Sequence, residues 1–249
     1  MRAVGVEELH HLPFVRHQLD PDRVEGAWLD GDAAAVLVRR PMVDGTLRTL
    51  SGFGPVTGLH RLLEVVAAEV EPPARVMVDA PDASAVPAAW PLTEVRHWHW
   101  MRSTRALPPE TVAVEELADL DEVASLLDTA APDSHARPGT PGVEAWLGVR
   151  DDRGELVAVG AVVRQPDGTG HLRAVTVAAH ARGRGLGREL STAMTRMAMA
   201  DTGVSSLGVY LDNEPALRIY RGLGYEVAHS FSSGPVSASS ITTAVAPSR

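Results

Sequence analysis

The segment VTVAAHARGRGLGREL, residues 175–190, decides how this chain of 249 residues is interpreted. It begins with the alternation typical of a β-strand and ends with the spacing of an amphipathic helix. Between these parts, from Arg182 to Arg188, stand three glycines and three arginines. The first N–H groups of a helix have no partner within it, the helix dipole is positive there, and arginine adds charge-assisted hydrogen bonds. The junction therefore predicts an anion site, and a pyrophosphate is its natural ligand.

Three kinds of phosphate-binding loop can be compared with this junction. A Walker loop needs a lysine, and all 23 basic residues of the chain are arginines. A dinucleotide-binding G-x-G-x-x-G loop that starts at Gly183 needs a glycine where the chain has Arg188. The third pattern, Arg/Gln-x-x-Gly-x-Gly/Ala, is met by Arg182, Gly185 and Gly187. This pattern resembles the coenzyme A pyrophosphate loop of the GNAT N-acetyltransferase superfamily.

A second segment extends the resemblance to the GNAT superfamily. The segment NEPALRIYRGLGYE, residues 213–226, follows a strand-like stretch and is similar to the pattern Asn-x-x-Ala-x-x-x-Tyr-x-x-x-Gly-Tyr/Phe of that family. The matching residues are Asn213, Ala216, Tyr220, Gly224 and Tyr225. Two motifs in this order, with a strand between them, are far more specific than either motif alone. The resemblance covers residues 111–231.

The resemblance implies the fold class, and the local patterns suggest a division of the chain. The GNAT fold is of the α/β (α+β) class, with a mixed, mostly antiparallel twisted sheet flanked by helices. The pair Pro108 and Pro109 interrupts the chain, so we predict a C-terminal GNAT acetyltransferase domain over residues 108–249. Residues 1–107 repeat an order of strands, helix and strands, which suggests a GNAT-like domain in tandem that lacks the cofactor loop.

Local patterns also predict single elements of the second half. Asp119 and Glu122 have the spacing of a capping box before an amphipathic helix. Residues 131–142, rich in proline and glycine, predict a long loop, and such loops are often functional. Two alternating stretches joined by a Pro-Asp-Gly turn predict an antiparallel hairpin. The stretch at 225–231 predicts a last strand.

The resemblance implies a reaction and a set of residues. Family members move an acetyl group from acetyl-CoA to a primary amine by direct attack in a ternary complex, and the acceptor is a small molecule or a peptide. No acyl-enzyme is needed, which agrees with a chain without cysteine. Tyr220 is implied as the general acid that protonates the leaving sulfur. The residues implied to contact the donor are Val175, Val177, Arg182, Gly183, Arg184, Gly185, Leu186, Gly187, Arg188 and Asn213.

The group that accepts the proton of the amine is the open part of this assignment. His171 lies in the strand before the loop, and an imidazole has a suitable unperturbed pKa of about 6.5. His135, in the long loop, is another candidate base, and a chain of water molecules is a third. Asp133, His135 and Arg137 are the loop residues that we expect to contact the acceptor.

Composition restricts the partners of the protein. A net charge of −9 argues against general affinity for nucleic acid or anionic membranes, although RGRG at residues 182–185 offers a local basic contact. No apolar run approaches the roughly 20 residues of a membrane span. We expect a cytoplasmic protein that uses no metal, and a homodimer stays open. The alternative to an enzyme is a regulatory protein that binds acyl-CoA without catalysis.

Overall fold

The computed structural model describes residues 1–237 and divides into two compact units. The first unit contains Met1–His99 together with the described residues from Ala228 onwards, and the second contains Trp100–Val227. Both GNAT-like motifs therefore lie in the second unit. The part of the predicted C-terminal domain beyond residue 237 lies outside the described residues.

Both units combine β-strands with α-helices. The strands are β1 (Arg2–Ala3), β2 (Val24–Asp30), β3 (Ala33–Met42), β4 (Gly45–Phe53), β5 (Arg75–Asp79), β6 (Arg96–Ser103), β7 (Glu115–Glu116), β8 (Val143–Arg150), β9 (Leu156–Arg164), β10 (Gly170–Val177), β11 (Ser205–Tyr210) and β12 (Glu226–Pro235). The α-helices are α1 (Pro13–Gln18), α2 (Val56–Glu69), α3 (Leu120–Ala130), α4 (Leu186–Ala198) and α5 (Glu214–Gly222). Within the described part of the chain, no helix is both long and apolar enough to cross a membrane.

The first unit forms a mixed sheet with α2 packed on it. The strand order is β1-β2-β3-β4-β5-β12, and neighbouring strands are antiparallel except for β4 and β5. Helix α2 connects these two parallel strands. Its buried residues recur at helical spacing and so form one apolar face against the sheet. They are Leu59, Leu62, Leu63 and Val66.

The second unit forms a sheet with helices on both faces. The strand order is β11-β10-β9-β8-β7, in which only β10 and β11 are parallel. Val162 packs in the same apolar cluster as α4, whereas the preceding Ala161 packs in the cluster of α3. Adjacent residues of a strand point to opposite faces, so α3 and α4 cover opposite faces of this sheet. The structure confirms the predicted fold class, a mixed and mostly antiparallel sheet flanked by helices.

The local patterns predicted several elements of this unit. Asp119 caps α3, since its side chain accepts hydrogen bonds from the N–H groups of Asp121 and Glu122. The predicted hairpin forms as β9 and β10, with the turn between Arg164 and Gly170. The predicted last strand forms as β12, whose residues from Ala228 onwards belong to the first unit, where Phe231 and the residues after it pair with β5.

Candidate functional site

A groove opens where β10 and β11 separate. The two strands pair in parallel only over residues 170–172 and 205–207, yet they continue to Val177 and Tyr210. Beyond the last paired residues, both strands line a groove of about 1020 Å³. This volume is at the upper end of ordinary ligand pockets and suits a large ligand.

A β-bulge lies on β10 at this groove. The register against β9 shifts between Arg173 and Thr176, so that Ala174 and Val175 together stand opposite Gly160. Ala174 has a φ of 54°, in the left-handed region that residues other than glycine rarely adopt. A bulge leaves its extra residue outside the ladder of hydrogen bonds. Both bulged residues, Ala174 and Val175, line the groove, and backbone strain of this kind is typical of functional positions.

The predicted phosphate loop lies directly before α4. The N-cap residue Gly185 has a φ of 82° and Gly183 a φ of 77°, so both positions favour glycine. A Cβ atom built on either glycine would have no neighbouring atom within 4 Å. No side chain of the described residues caps α4. The first N–H groups of this helix are therefore free to donate hydrogen bonds to a phosphate.

The three arginines of the loop do not all face the groove. Arg182 and Arg188 line it, whereas Arg184 lines a separate surface depression with His180. The Nε atom of Arg182 donates to the carbonyl oxygen of Val177 at 3.1 Å, which ties the loop to the end of β10. Within residues 1–237, none of these three arginines forms an ion pair. Arg182 and Arg188 are therefore available to an anionic ligand.

The second motif brings Tyr220 to the same groove. Tyr220 lies on α5, is 7% exposed and lines the groove. Its hydroxyl has no hydrogen-bond partner among the described residues. Burial, together with the nearby Tyr225, raises the pKa of Tyr220 above its ordinary value. The phenol therefore stays neutral and keeps its proton for a ligand.

Asn213 has two roles in the structure. Its Oδ1 atom accepts a hydrogen bond from the N–H group of Ala216 at 3.2 Å, which caps α5. The same residue lines the groove. Val175 and Val177, on the facing strand, also line it. All residues expected to contact the donor line this groove except Arg184.

The long loop after α3 forms another wall of the groove. Asp133 and His135 line it, and the Nε2 atom of His135 lies 2.8 Å from the hydroxyl of Tyr210. Arg137 is absent from the lining residues. Its guanidinium instead binds the carboxylate of Asp128 and the carbonyl oxygen of Pro132. Arg137 therefore anchors the loop, while Asp133 and His135 are the members that face a ligand.

His171 lies away from the groove. It is 5% exposed, and its Nδ1 atom lies 2.9 Å from the hydroxyl of Ser206 on β11. The next residues along β10, Leu172 and Arg173, line the groove, whereas His171 does not. The structure therefore brings His135, and not His171, to the same groove as Tyr220.

Arg173 is a groove residue that the sequence patterns did not single out. It stands directly opposite Ala161, so its side chain lies on the face of the sheet that α3 covers. Burial lowers the pKa of its guanidinium. Within the described chain it has neither an ion pair nor a side-chain hydrogen bond. The only signal in the sequence was an arginine in the middle of a largely buried strand.

The same residues match a known protein family. Residues 93–225, more than half of the chain, match the model described as "Acetyltransferase (GNAT) family". The chain belongs to the GNAT acetyltransferase family. The groove, the loop before α4 and Tyr220 all lie within the matched residues. This GNAT protein is accordingly an acyltransferase by family, with an acyl-CoA as the donor.

Solved structures with the same fold support the assignment of a GNAT fold. An acetyltransferase of the GNAT family from Colwellia psychrerythraea has a TM-score of 0.55 at 14% identity, over 95% of this chain and 99% of that chain. A GCN5-related N-acetyltransferase from Kribbella flavida has a TM-score of 0.52 at 17% identity, over 95% and 96%. One from Sphaerobacter thermophilus has a TM-score of 0.50 at 20% identity, over 92% and 84%. At these identities the similarity concerns the fold alone.

The comparisons also bear on the rest of this GNAT chain. A comparison with curated proteins found no significant match. The family match begins at residue 93, so the tandem GNAT-like domain suggested for residues 1–107 is not confirmed and stays a prediction. Among the described residues, no three His, Asp or Glu side chains come together as a metal site would require.

Proposed function

We propose that this GNAT protein is an N-acetyltransferase, which moves the acetyl group of acetyl-CoA to a primary amine of a small-molecule or peptide acceptor. The observation that carries the proposal is a single groove with three features. These are a helix start without a side-chain cap and with arginines that form no ion pair, a bulged strand beside a separated neighbour, and a neutral tyrosine whose hydroxyl has no partner, each judged over residues 1–237. Together they suit the three parts of a coenzyme A thioester that an acetyl transfer involves, namely the pyrophosphate, the acyl carbonyl and the departing sulfur.

The donor end of the proposal rests on the start of α4. The free N–H groups behind Gly185 and the guanidinium groups of Arg182 and Arg188 offer hydrogen bonds to phosphate oxygens. The open space beside Gly183 and Gly185 lets a phosphate approach the backbone. From this loop the acyl arm of the donor would run along the separated edges of β10 and β11 to the bulge.

The transfer step is assigned to the bulge and to Tyr220. As the nitrogen of the amine attacks the acetyl carbon, the backbone N–H groups around Ala174 stabilise the negative charge on the carbonyl oxygen. The C–N bond forms and the C–S bond breaks. The phenolic proton of Tyr220 goes to the departing sulfur, and Tyr220 takes a proton back from solvent. The buried, neutral phenol supports this role.

We assign the base to His135. It lines the groove on the face of the sheet that α3 covers, whereas Tyr220 packs in the cluster of α4 on the other face. The incoming amine and the departing sulfur therefore have their proton-transfer groups on opposite sides of the acetyl group. The contact of His135 with Tyr210 holds the imidazole in the groove. His171 would act only through intervening groups.

The test uses the full chain, acetyl-CoA and a panel of amines. Calorimetry measures acetyl-CoA binding, and release of free thiol together with the mass of the product measures transfer. We expect micromolar binding and amine-dependent thiol release. Binding without release for any amine would favour a regulatory acyl-CoA-binding protein. Absence of binding would remove the donor site from the start of α4.

A further inference from the structure

Arg173 lines the groove and, unlike other arginines of the second unit, forms no ion pair with a described carboxylate. Three other arginines of the second unit, with side chains 20–33% exposed, each bind a carboxylate. Arg137 binds Asp128, Arg150 binds Glu115 and Glu122, and Arg164 binds Glu144. Arg173 lines the groove, and no carboxylate of the described residues forms an ion pair with it. A charge taken partly out of water without a partner is costly, so an unpaired arginine at this place indicates a ligand that brings the anion.

The phosphates of the donor do not supply this anion. Arg173 lies four residues before Val177, the end of β10, and the phosphate loop begins still further along the chain. A strand rises roughly 3.3 Å per residue, so Arg173 stands roughly 13 Å from the end of the strand. The loop has two arginines of its own for the pyrophosphate, Arg182 and Arg188, which form no ion pair with a described residue. Arg173 therefore serves a different ligand.

The position of Arg173 assigns it to the acceptor side. Its side chain lies on the face of the sheet that α3 covers, and the loop that follows α3 carries Asp133 and His135 into the same groove. The next residue along β10 is Ala174, in the bulge where we place the acetyl group. An anion held by Arg173 is therefore within one side-chain length of the reacting amine.

We infer that Arg173 binds a carboxylate of the acceptor, so that the acceptor is an amine which also carries a carboxylate a few bonds away. A planar guanidinium binds a carboxylate through two parallel hydrogen bonds, which fixes the position of the amine as well as adding affinity. A free amino acid and a short peptide with a free C-terminus both offer this chemistry. Burial lowers the pKa of this guanidinium, so an anion beside it would favour its charged form. The inference rests on the proposed function, because it takes the acetyl group to lie at the bulge.

Binding, measured apart from turnover, tests the inference. Calorimetry on the full chain with coenzyme A present compares free amino acids with their carboxamides, which have the same shape and no charge. For at least one pair we expect the acid to bind about 10- to 100-fold more tightly than the amide. Short peptides with free and amidated C-termini form a second arm. A preference found only in that arm assigns the carboxylate to a peptide terminus.

Variants of Arg173 identify the residue responsible. We expect Arg173→Gln to abolish the preference for the acid, Arg173→Lys to retain part of it, and both to keep the affinity for coenzyme A. Arg218→Gln, at an exposed position of α5, is the matched control and should keep the full preference. If Arg173→Gln fails to fold, the wild-type comparison and Arg173→Lys carry the test.

The results distinguish this inference from the proposed function. Equal binding of acid and amide by the wild-type protein, or an unchanged preference in Arg173→Gln, overturns the inference. Acids that bind through Arg173 while no amine releases thiol would overturn the proposed function and leave the carboxylate site. Rapid acetylation of amines that carry no carboxylate, with no preference between acid and amide, would uphold the function and overturn the inference.

Discussion

Tyr220 and Tyr225 pack edge to face, with ring centroids 5.9 Å apart and an interplanar angle of 64°. The two hydroxyls nevertheless have opposite surroundings. The hydroxyl of Tyr225 contacts Thr195 Oγ1 at 2.9 Å and Ser205 Oγ at 2.6 Å. The hydroxyl of Tyr220 has no such partner within residues 1–237, and Tyr220 lines the groove. Both rings therefore belong to the core, but only the hydroxyl of Tyr220 is available to a ligand.

This difference predicts opposite effects of removing the two hydroxyls. Tyr220→Phe should lower kcat about 10²- to 10⁴-fold, because the sulfur loses its proton donor, with little change in the Kd for acetyl-CoA. Tyr225→Phe should instead lower the free energy of unfolding by about 1–3 kcal/mol, because two buried hydroxyls lose their partner. Steady-state kinetics and urea unfolding of both variants measure these effects. Unchanged turnover in Tyr220→Phe would exclude Tyr220 from the mechanism.

Gly185 has a matched control in Gly154. Both glycines have a positive φ, 82° and 80°, and a Cβ atom on either would find no neighbour within 4 Å. Valine at either position should cost about 1–2 kcal/mol of stability through backbone strain. Only Gly185→Val should also raise the Kd for acetyl-CoA, by at least about tenfold, because the side chain blocks the phosphate. Calorimetry measures both Kd values. If Gly185→Val and Gly154→Val bind acetyl-CoA equally well, the pyrophosphate does not bind at the start of α4.

Asn213 and Asp119 cap two helices of the second unit, and only Asn213 lines the groove. Substitution of either residue by alanine should destabilise the protein by about 1 kcal/mol through loss of the cap. Asn213→Ala should in addition weaken acetyl-CoA binding severalfold, whereas Asp119→Ala should leave it unchanged. Thermal unfolding and calorimetry separate the two effects. If both variants bind acetyl-CoA with the same Kd, Asn213 only caps α5 and does not contact the donor.

His135 and His171 are distinguished by turnover. His135→Gln should lower kcat about 10²-fold or more, because the amine loses the base that lines the groove. His171→Gln, which removes the contact with Ser206, should mainly affect stability. Measurement of kcat at saturating amine, together with urea unfolding, compares the two. The reverse order of effects would return the role of base to His171.

Alkaline pH should destabilise the protein through its buried tyrosines. Burial raises the pKa of Tyr225 to about 12, from an ordinary value of 10. The stabilising contribution is complete below pH 10, where the phenol is neutral in both states, and falls as the pH rises towards 12. A shift of two units corresponds to about 3 kcal/mol. Urea unfolding between pH 9 and 11.5 should show this decline, and Tyr225→Phe should reduce its slope.

Local sequence patterns predicted what depends on local structure. The cap at Asp119, the hairpin of β9 and β10 and the glycine junction before α4 each follow from residues a few positions apart. Two motifs in the right order were enough to indicate the family and the fold class. These features are accessible because the physical requirements, a free side-chain acceptor or a positive φ, act within one turn of the chain.

Long-range pairing decided the features that the sequence did not reveal. The bulge at Ala174 depends on the register of β10 against β9, and no local signal marks an alanine with positive φ. The same pairing orients His171 towards Ser206 and leaves Arg173 facing the groove. The extension of β12 depends on β5, far away in the chain.

The early end of the ladder between β10 and β11 gives the sheet two facing internal edges. Pairing stops after Leu172 and Leu207, although both strands continue. Unpaired edges are normally found only at the borders of a sheet, where they attract further strands. An extended ligand with its own amide groups can join these edges and complete the sheet. Donor concentration would then also control resistance to unfolding, by about 2.7 kcal/mol at one hundred times the Kd. The free energy of unfolding would then be highest in a cell with a high concentration of the donor.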